Sequence, residues 1–150
     1  MRSAILHSLE PLPLTSPILP NTRAVMDYLR LLLAEETSEQ LRVLFLDSQH
    51  RLIRNEIISK GDIVSAPCNT RDIMRRALEL AATALILVHN HPSGDPTPSD
   101  RDVLATAAIS RAAIALGIEL LDHLVVARSG TTSLRALGLL PNPSKRSVKP

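Results

Sequence analysis

Apolar residues recur along this chain with two periods, and the periods alternate. Val25, Tyr28, Leu29 and Leu32 follow helical spacing. They predict a helix from the capping residue Thr22 to about Ala34. A break follows at residues 35–38. Leu41 to Asp47, LRVLFLD, is a short apolar, β-rich run. After the polar turn Asp47-Ser48-Gln49-His50 comes Arg51 to Ser59, RLIRNEIIS. The pair predicts a buried strand and its antiparallel return. Lys60-Gly61-Asp62 punctuates the chain, and Ile63 to Ser65 predicts a short edge strand. Ile73, Met74, Ala77, Leu78 and Ala81 repeat at helical spacing behind a start at Asn69 or Thr70. Ala84 to Val88 is apolar throughout, the mark of a fully buried strand. Ser99 opens a third helix to about Leu116, closed by Gly117. Its expected apolar face is Val103, Leu104, Ala107, Ala108, Ile114 and Ala115. Ile118 to Ala127 reads as another strand, and Thr131 to Leu134 as a last one after the turn at Ser129-Gly130.

This order predicts an α/β protein, a mixed β-sheet flanked by helices. Residues 22–140 form the expected domain. Residues 1–21, with Pro11, Pro13, Pro17 and Pro20, read as an irregular arm, and residues 141–150 as a disordered basic tail. Composition sharpens the picture at a few points. One Tyr, one Phe and no Trp leave the core to Leu, Ile, Val and Ala. They also argue against binding single-stranded nucleic acid by base stacking. A net charge of +2 does not by itself indicate a nucleic-acid partner. The single cysteine, Cys68, excludes an internal disulfide framework and any multi-cysteine zinc site. No apolar run approaches the roughly 18 residues of a membrane-spanning helix. The N-terminus lacks signal-peptide layout, so the expectation is a cytoplasmic protein with no membrane partner.

The chemistry concentrates in Ala84 to Asp102, ALILVHNHPSGDPTPSDRD. Residues i and i+2 of a strand point the same way, so His89 and His91 can share one ion. Asp102 adds a carboxylate from the first turn of the following helix. Two histidines and one carboxylate make an open zinc site of the catalytic kind. Pro92, Pro96 and Pro98 restrict the intervening loop. The Ser99 hydroxyl, one turn before Asp102, is placed to hold a water or a developing oxyanion. The general base has several candidates. Glu56 is favoured because it stands on a predicted strand among apolar neighbours; Asp47, Glu79 and Asp95 are alternatives.

Plainer meanings attach to the same residues. His-x-His on a strand is often two half-exposed histidines. Ser99-x-x-Asp102 is also a helix-capping pattern. Asp122-His123 reads better as a buried hydrogen-bonded pair, or as support for the site, than as metal ligands. His7 and His50 read as surface residues, Cys68 as a small packing residue, and Arg75-Arg76 as a solvated helix face or an anion contact. Sequence patterns for zincins, base deaminases, P-loops, dinucleotide folds and serine nucleophile elbows are absent.

The string His89-x-His91-Pro92, followed by Ser99-x-x-Asp102, resembles the JAMM motif of the MPN/JAB metalloprotease superfamily. The longer stretches LFLDSQHRLIRNEIISKG, RALELAATALILVHNHPSGDPTPSDRD and LLDHLVVARSG are similar to the RadC family. The likeness runs from about Thr22 to Leu140. It implies the JAB/MPN α/β sandwich, with an architecture related to deaminases. It also implies Zn2+ held by His89, His91 and Asp102, with Glu56 as general base and Ser99 beside the water. The implied reaction is attack of zinc-activated water on an amide or isopeptide carbonyl of a protein or peptide substrate. RadC proteins commonly carry an N-terminal helix-hairpin-helix region; here about twenty Pro-rich residues stand in its place, which suggests a short RadC-like protein or the isolated JAB domain. A DNA-repair accessory and a non-catalytic interaction module are the alternative roles on the same fold.

Overall fold

The computed structural model describes residues 22–33, 36–61 and 66–141. Its elements are α1 (Thr22–Leu33), β1 (Gln40–Leu46), β2 (Leu52–Lys60), α2 (Ala66–Glu79), β3 (Ala84–Asn90), α3 (Asp100–Ala115), β4 (Glu119–Ala127) and β5 (Gly130–Ser133). The five strands form one mixed sheet in the order β2-β1-β3-β4-β5. β1 lies antiparallel to both β2 and β3, β3 runs parallel to β4, and β5 returns antiparallel on β4. The α/β class expected from the pattern is the class observed.

β3 sits at the middle of the sheet and is buried at every position. Its alternate side chains face two cores. Ala84, Ile86 and Val88 pack with Leu44, Leu46, Leu124 and Val126 under α1, which contributes Val25, Leu29 and Leu33. Leu85 and Leu87 pack with Val43 and Phe45 under α2 and α3, which contribute Ile73, Met74, Ala77, Ile109 and Ala113. Strand parity then decides the direction of the functional residues. His89 follows Leu85 and Leu87 toward α3, whereas Asn90 follows Ile86 and Val88 toward the other face.

Two helices differ from expectation. α2 starts at Ala66, upstream of Asn69, and Leu78 on it is exposed. α3 is turned relative to its predicted apolar face. Its buried residues are Asp102, Thr106, Ile109, Ser110 and Ala113, while Leu104 is 69% exposed. Asp102 and Thr106 can face inward because each has partners there, and a buried polar group with partners costs little. Helix spacing read from apolar residues alone misses such a face. α3 ends at Ala115, and Gly117 takes the left-handed conformation (φ +73) that a side chain disfavours. The edge strand expected at residues 63–65 and the arm at residues 1–21 lie outside the described residues. So does the tail beyond Pro141.

Candidate metal centre

The centre forms where β3 ends and α3 begins. The β3 backbone carries His89 to the sheet end, and the His91 N–H continues the pairing by donating to the Val126 carbonyl at 2.9 Å. The loop turns at Gly94, whose φ of +90 needs a glycine. Its carbonyl accepts from the Ser129 hydroxyl at 2.6 Å, which ties the loop to the β4–β5 turn. Ser99 then caps α3. Its hydroxyl accepts from the Asp102 N–H at 3.1 Å, and the Asp102 carboxylate accepts from the Ser99 N–H at 2.8 Å. This reciprocal capping box fixes Asp102 in the first turn, facing the histidines.

The distances fit a metal ion. His91 Nε2 lies 3.2 Å from Asp102 Oδ2, and His89 Nε2 lies 3.6 Å from Asp102 Oδ1 and 3.6 Å from Glu39 Oε1. Tetrahedral ligands at zinc bond lengths of roughly 2.1 Å stand about 3.4 Å apart. The donor atoms of Glu39, His89 and His91 all lie within 4.8 Å of one another. Hydrogen bonding supports the same reading. His91 Nδ1 is 2.9 Å from the Asp95 carbonyl, which only accepts, so Nδ1 carries the proton. Nε2 is left to face the Asp102 carboxylate, where a cation between them could take both as ligands. His89 Nε2 is buried and has no hydrogen-bond partner among the described residues. Burial lowers the His89 pKa, against the opposing pull of Asp102 and Glu39, and so favours the neutral ring a metal requires. Burial raises the Asp102 pKa, but hydrogen bonds from Ser99 and the nearby histidines outweigh it, and the net shift is downward. Both shifts favour binding: a neutral His89 imidazole and an ionised Asp102 carboxylate.

Three residues that the sequence did not mark as functional support the centre. Glu39 stands just before β1. It shares strand parity with Leu41, Val43 and Phe45, and so reaches the His89 side of the sheet. Asn90, 3% exposed, accepts from the Gln40 N–H at 2.6 Å and donates to the Ser38 carbonyl at 3.0 Å. Thr106 donates its hydroxyl proton to the Asp102 carbonyl at 2.6 Å, so its oxygen accepts from His123 Nδ1 at 2.6 Å. His123 is therefore support through Thr106, and burial pushes its pKa down to about 3. Its backbone N–H, not its ring, meets Asp122. Asp122 instead accepts from Ser133 and the Arg135 backbone.

The general base expected at Glu56 is corrected by the strand order. β1 lies between β2 and β3, and Glu56 pairs with Val43, two residues beyond the Leu41–His89 pair. Two strand spacings sideways and two residues along put it roughly 12 Å from His89. There Glu56 accepts three hydrogen bonds from Arg76 of α2, at 2.6 to 3.0 Å. The Arg76 guanidinium holds its carboxyl below the usual range, the wrong direction for a base working near neutral pH. Arg76 also pairs with Glu79, so the Arg75-Arg76 face is an ion-pair network rather than an anion site. Asp47 is taken up by its own turn, and Asp95 by Thr97. Glu39 is the carboxylate left beside the histidines. A glutamate immediately before an apolar strand was the available signal, but it needed the β1–β3 register to be read.

Two hollows meet the centre. One of about 80 Å3 lies on the α3 side, lined by Glu39, Leu41, His89, Asp102, Ile109 and His123 among others. One of about 450 Å3 lies between the end of α1 and the end of β4 and reaches Asn90, His91 and Pro92. No helix of the described residues is long and apolar enough to cross a membrane.

A family profile described as the RadC-like JAB domain matches residues 19–139. The chain is also similar to a UPF0758 protein of Rhodobacter capsulatus, with 49% identity over 127 residues. That alignment covers 85% of this chain and 59% of the relative, so the chain spans about three-fifths of the relative's length. The capping box, the two histidines at the end of a central strand and the carboxylate facing them are thus found on a sheet of the expected class, and the chain belongs to the RadC-like JAB domain family.

Proposed function

We propose that this domain is a zinc-dependent hydrolase of amide bonds, peptide or isopeptide, with His89, His91 and Asp102 as metal ligands and Glu39 as general base. The observation that carries the reading is the convergence of two imidazole nitrogens on one buried carboxylate at 3.2 and 3.6 Å, with a second carboxylate, from the segment leading into β1, 3.6 Å from His89 Nε2. Bound zinc would supply Lewis-acid polarisation of the carbonyl and lower the pKa of a water.

The protein groups divide the remaining work. Asp102, with its side chain 6% exposed and held by Ser99, suits a fixed ligand. Glu39, 32% exposed, comes from a strand end and stands on the open side, which suits proton transfer from water to a leaving amine. Three ligands leave one position open, as catalysis needs, whereas a fourth would close the site. The Ser99 oxygen accepts in the cap but keeps its proton to donate to an oxyanion. The 450 Å3 hollow beside His91 falls in the size range of substrate clefts.

The test is zinc per chain by elemental mass spectrometry, together with cleavage of an internally quenched peptide library. Wild type and Glu39→Gln should each carry about one zinc, and His91→Ala almost none. Only wild type should cleave. A zinc-loaded Glu39→Gln that cleaves like wild type removes the mechanism. A wild type without zinc after reconstitution moves the domain to the interaction-module reading.

A further inference from the structure

The β1–β3 ladder ends at the Leu41–His89 pair. Beyond it the backbones no longer pair, yet Glu39 must be held against the histidines across that gap. Asn90 occupies the gap. Its side-chain oxygen accepts from the Gln40 N–H at 2.6 Å, and its nitrogen donates to the Ser38 carbonyl at 3.0 Å. Those are the peptide groups on the two sides of Glu39. A side-chain amide has one donor face and one acceptor face, as a peptide has, so Asn90 extends the ladder where the strand can not.

We infer that Asn90 is the positioning residue of Glu39: the residue between the two metal-binding histidines clamps the segment that brings the general base to them. Strand parity makes this possible. With His89 turned toward α3, its neighbour must turn away from the metal, and it is free to grip the adjoining strand. Asn90 and Gln40 are both 3% exposed, so water competes poorly for these two hydrogen bonds. Gln40 is held from its far side as well, since its side-chain oxygen accepts from Arg42 Nε at 3.3 Å. The ligands and the base, some fifty residues apart in the chain, thus move as one body. The chemistry demanded at position 90 is narrow. Aspartate keeps the acceptor but loses the donor to Ser38. Leucine keeps the volume and loses both.

This inference rests on the hydrolase reading for what Glu39 does, but its test separates the two. Amide hydrogen exchange and the visible spectrum of the cobalt-loaded protein need no turnover. Asn90→Leu should speed exchange of the Gln40 N–H by about ten-fold or more while the Val43 and Leu44 amides stay protected. It should bind zinc within about three-fold of wild type, since no ligand is touched. Cobalt-loaded Asn90→Leu should give the spectrum of Glu39→Gln, and Glu39→Gln should change nothing further in the Asn90→Leu background. Peptide cleavage should fall on the order of 10²–10⁴-fold in both single variants and no further in the double. Asn90→Asp should fall between wild type and Asn90→Leu in exchange and spectrum, which guards against a general packing defect. Unchanged Gln40 exchange overturns the clamp. So does a wild-type cobalt spectrum in Asn90→Leu, or in Glu39→Gln, or additive losses in the double variant. A protein whose Gln40 exchange and cobalt spectrum respond as stated, but which cleaves nothing, keeps the clamp and loses the hydrolase reading.

Discussion

Glu56→Gln separates the strand-order argument from any reading of the chain by spacing alone. Glu56 and Arg76 form three hydrogen bonds at 2.6 to 3.0 Å, with side chains 24% and 28% exposed. The substitution keeps the shape and one acceptor oxygen and removes the charge. A paired but solvent-reached site of this kind loses about 0.5–1 kcal/mol, or roughly 2–4 °C in melting temperature for a domain of this size. The pH dependence has a definite sign. Arg76 holds the folded carboxyl below its usual range, so the contribution is complete above the unfolded pKa of about 4.3 and is lost as pH falls through the lower folded value. Urea denaturation of wild type and Glu56→Gln should therefore give a constant gap from pH 7 down to about 5, closing below that. Zinc content should match wild type and cleavage should stay within about two-fold, because nothing in the reacting geometry changes. Glu39→Gln should show the reverse: little change in stability and loss of cleavage. A stable, zinc-loaded Glu56→Gln without activity would refute the placement of the base and return it to β2.

Three further perturbations test the supporting shell. Zinc at 100 times its dissociation constant should stabilise the domain by about 2.7 kcal/mol, raising the melting temperature by roughly 10 °C; a chelator should abolish the shift, and His91→Ala should never show it. Ser99→Ala should cost about 1 kcal/mol in urea denaturation through the lost cap and weaken zinc about ten-fold or more in a competition titration; an unchanged zinc affinity would mean Asp102 is held without its cap. Thr106→Val leaves the His123 Nδ1–H buried without its acceptor and should cost about 1–3 kcal/mol, measured the same way; a neutral result would mean the His123 ring has turned to another partner.

The gathering of His89, His91 and Asp102 was legible because their geometry is local. His89 and His91 share a strand end, and Ser99-x-x-Asp102 is one helical turn, so spacing in the chain nearly equals spacing in space. The second carboxylate beside the histidines was not legible for the opposite reason. Glu56 and Glu39 lie 33 and 50 residues from His89 in the chain. Choosing between them needs two facts that no local pattern contains: β1 separates β2 from β3, and Leu41 stands opposite His89. Apolar neighbours made Glu56 look misplaced, but its partner was Arg76 on a helix the pattern placed without orienting.

The turned face of α3 has the same origin. Apolar spacing assigned Leu104 to the core, yet Leu104 is 69% exposed while Asp102 and Thr106 are buried. Rotating the helix to bury Leu104 would gain roughly 1.5–3 kcal/mol of apolar burial. It would also swing Asp102 off the histidines and break the Thr106 link to His123. Two charge-assisted or buried hydrogen-bonded groups lost together outweigh that gain, since each orphaned partner costs about 1–3 kcal/mol. The centre therefore orients the helix, rather than the helix presenting the centre. This inverts the usual order, in which packing fixes an element and function borrows its surface. It also explains why α3 is the element whose orientation the apolar pattern reads worst: the residues that set it are polar, and their reason for being buried lies on β3 and β4.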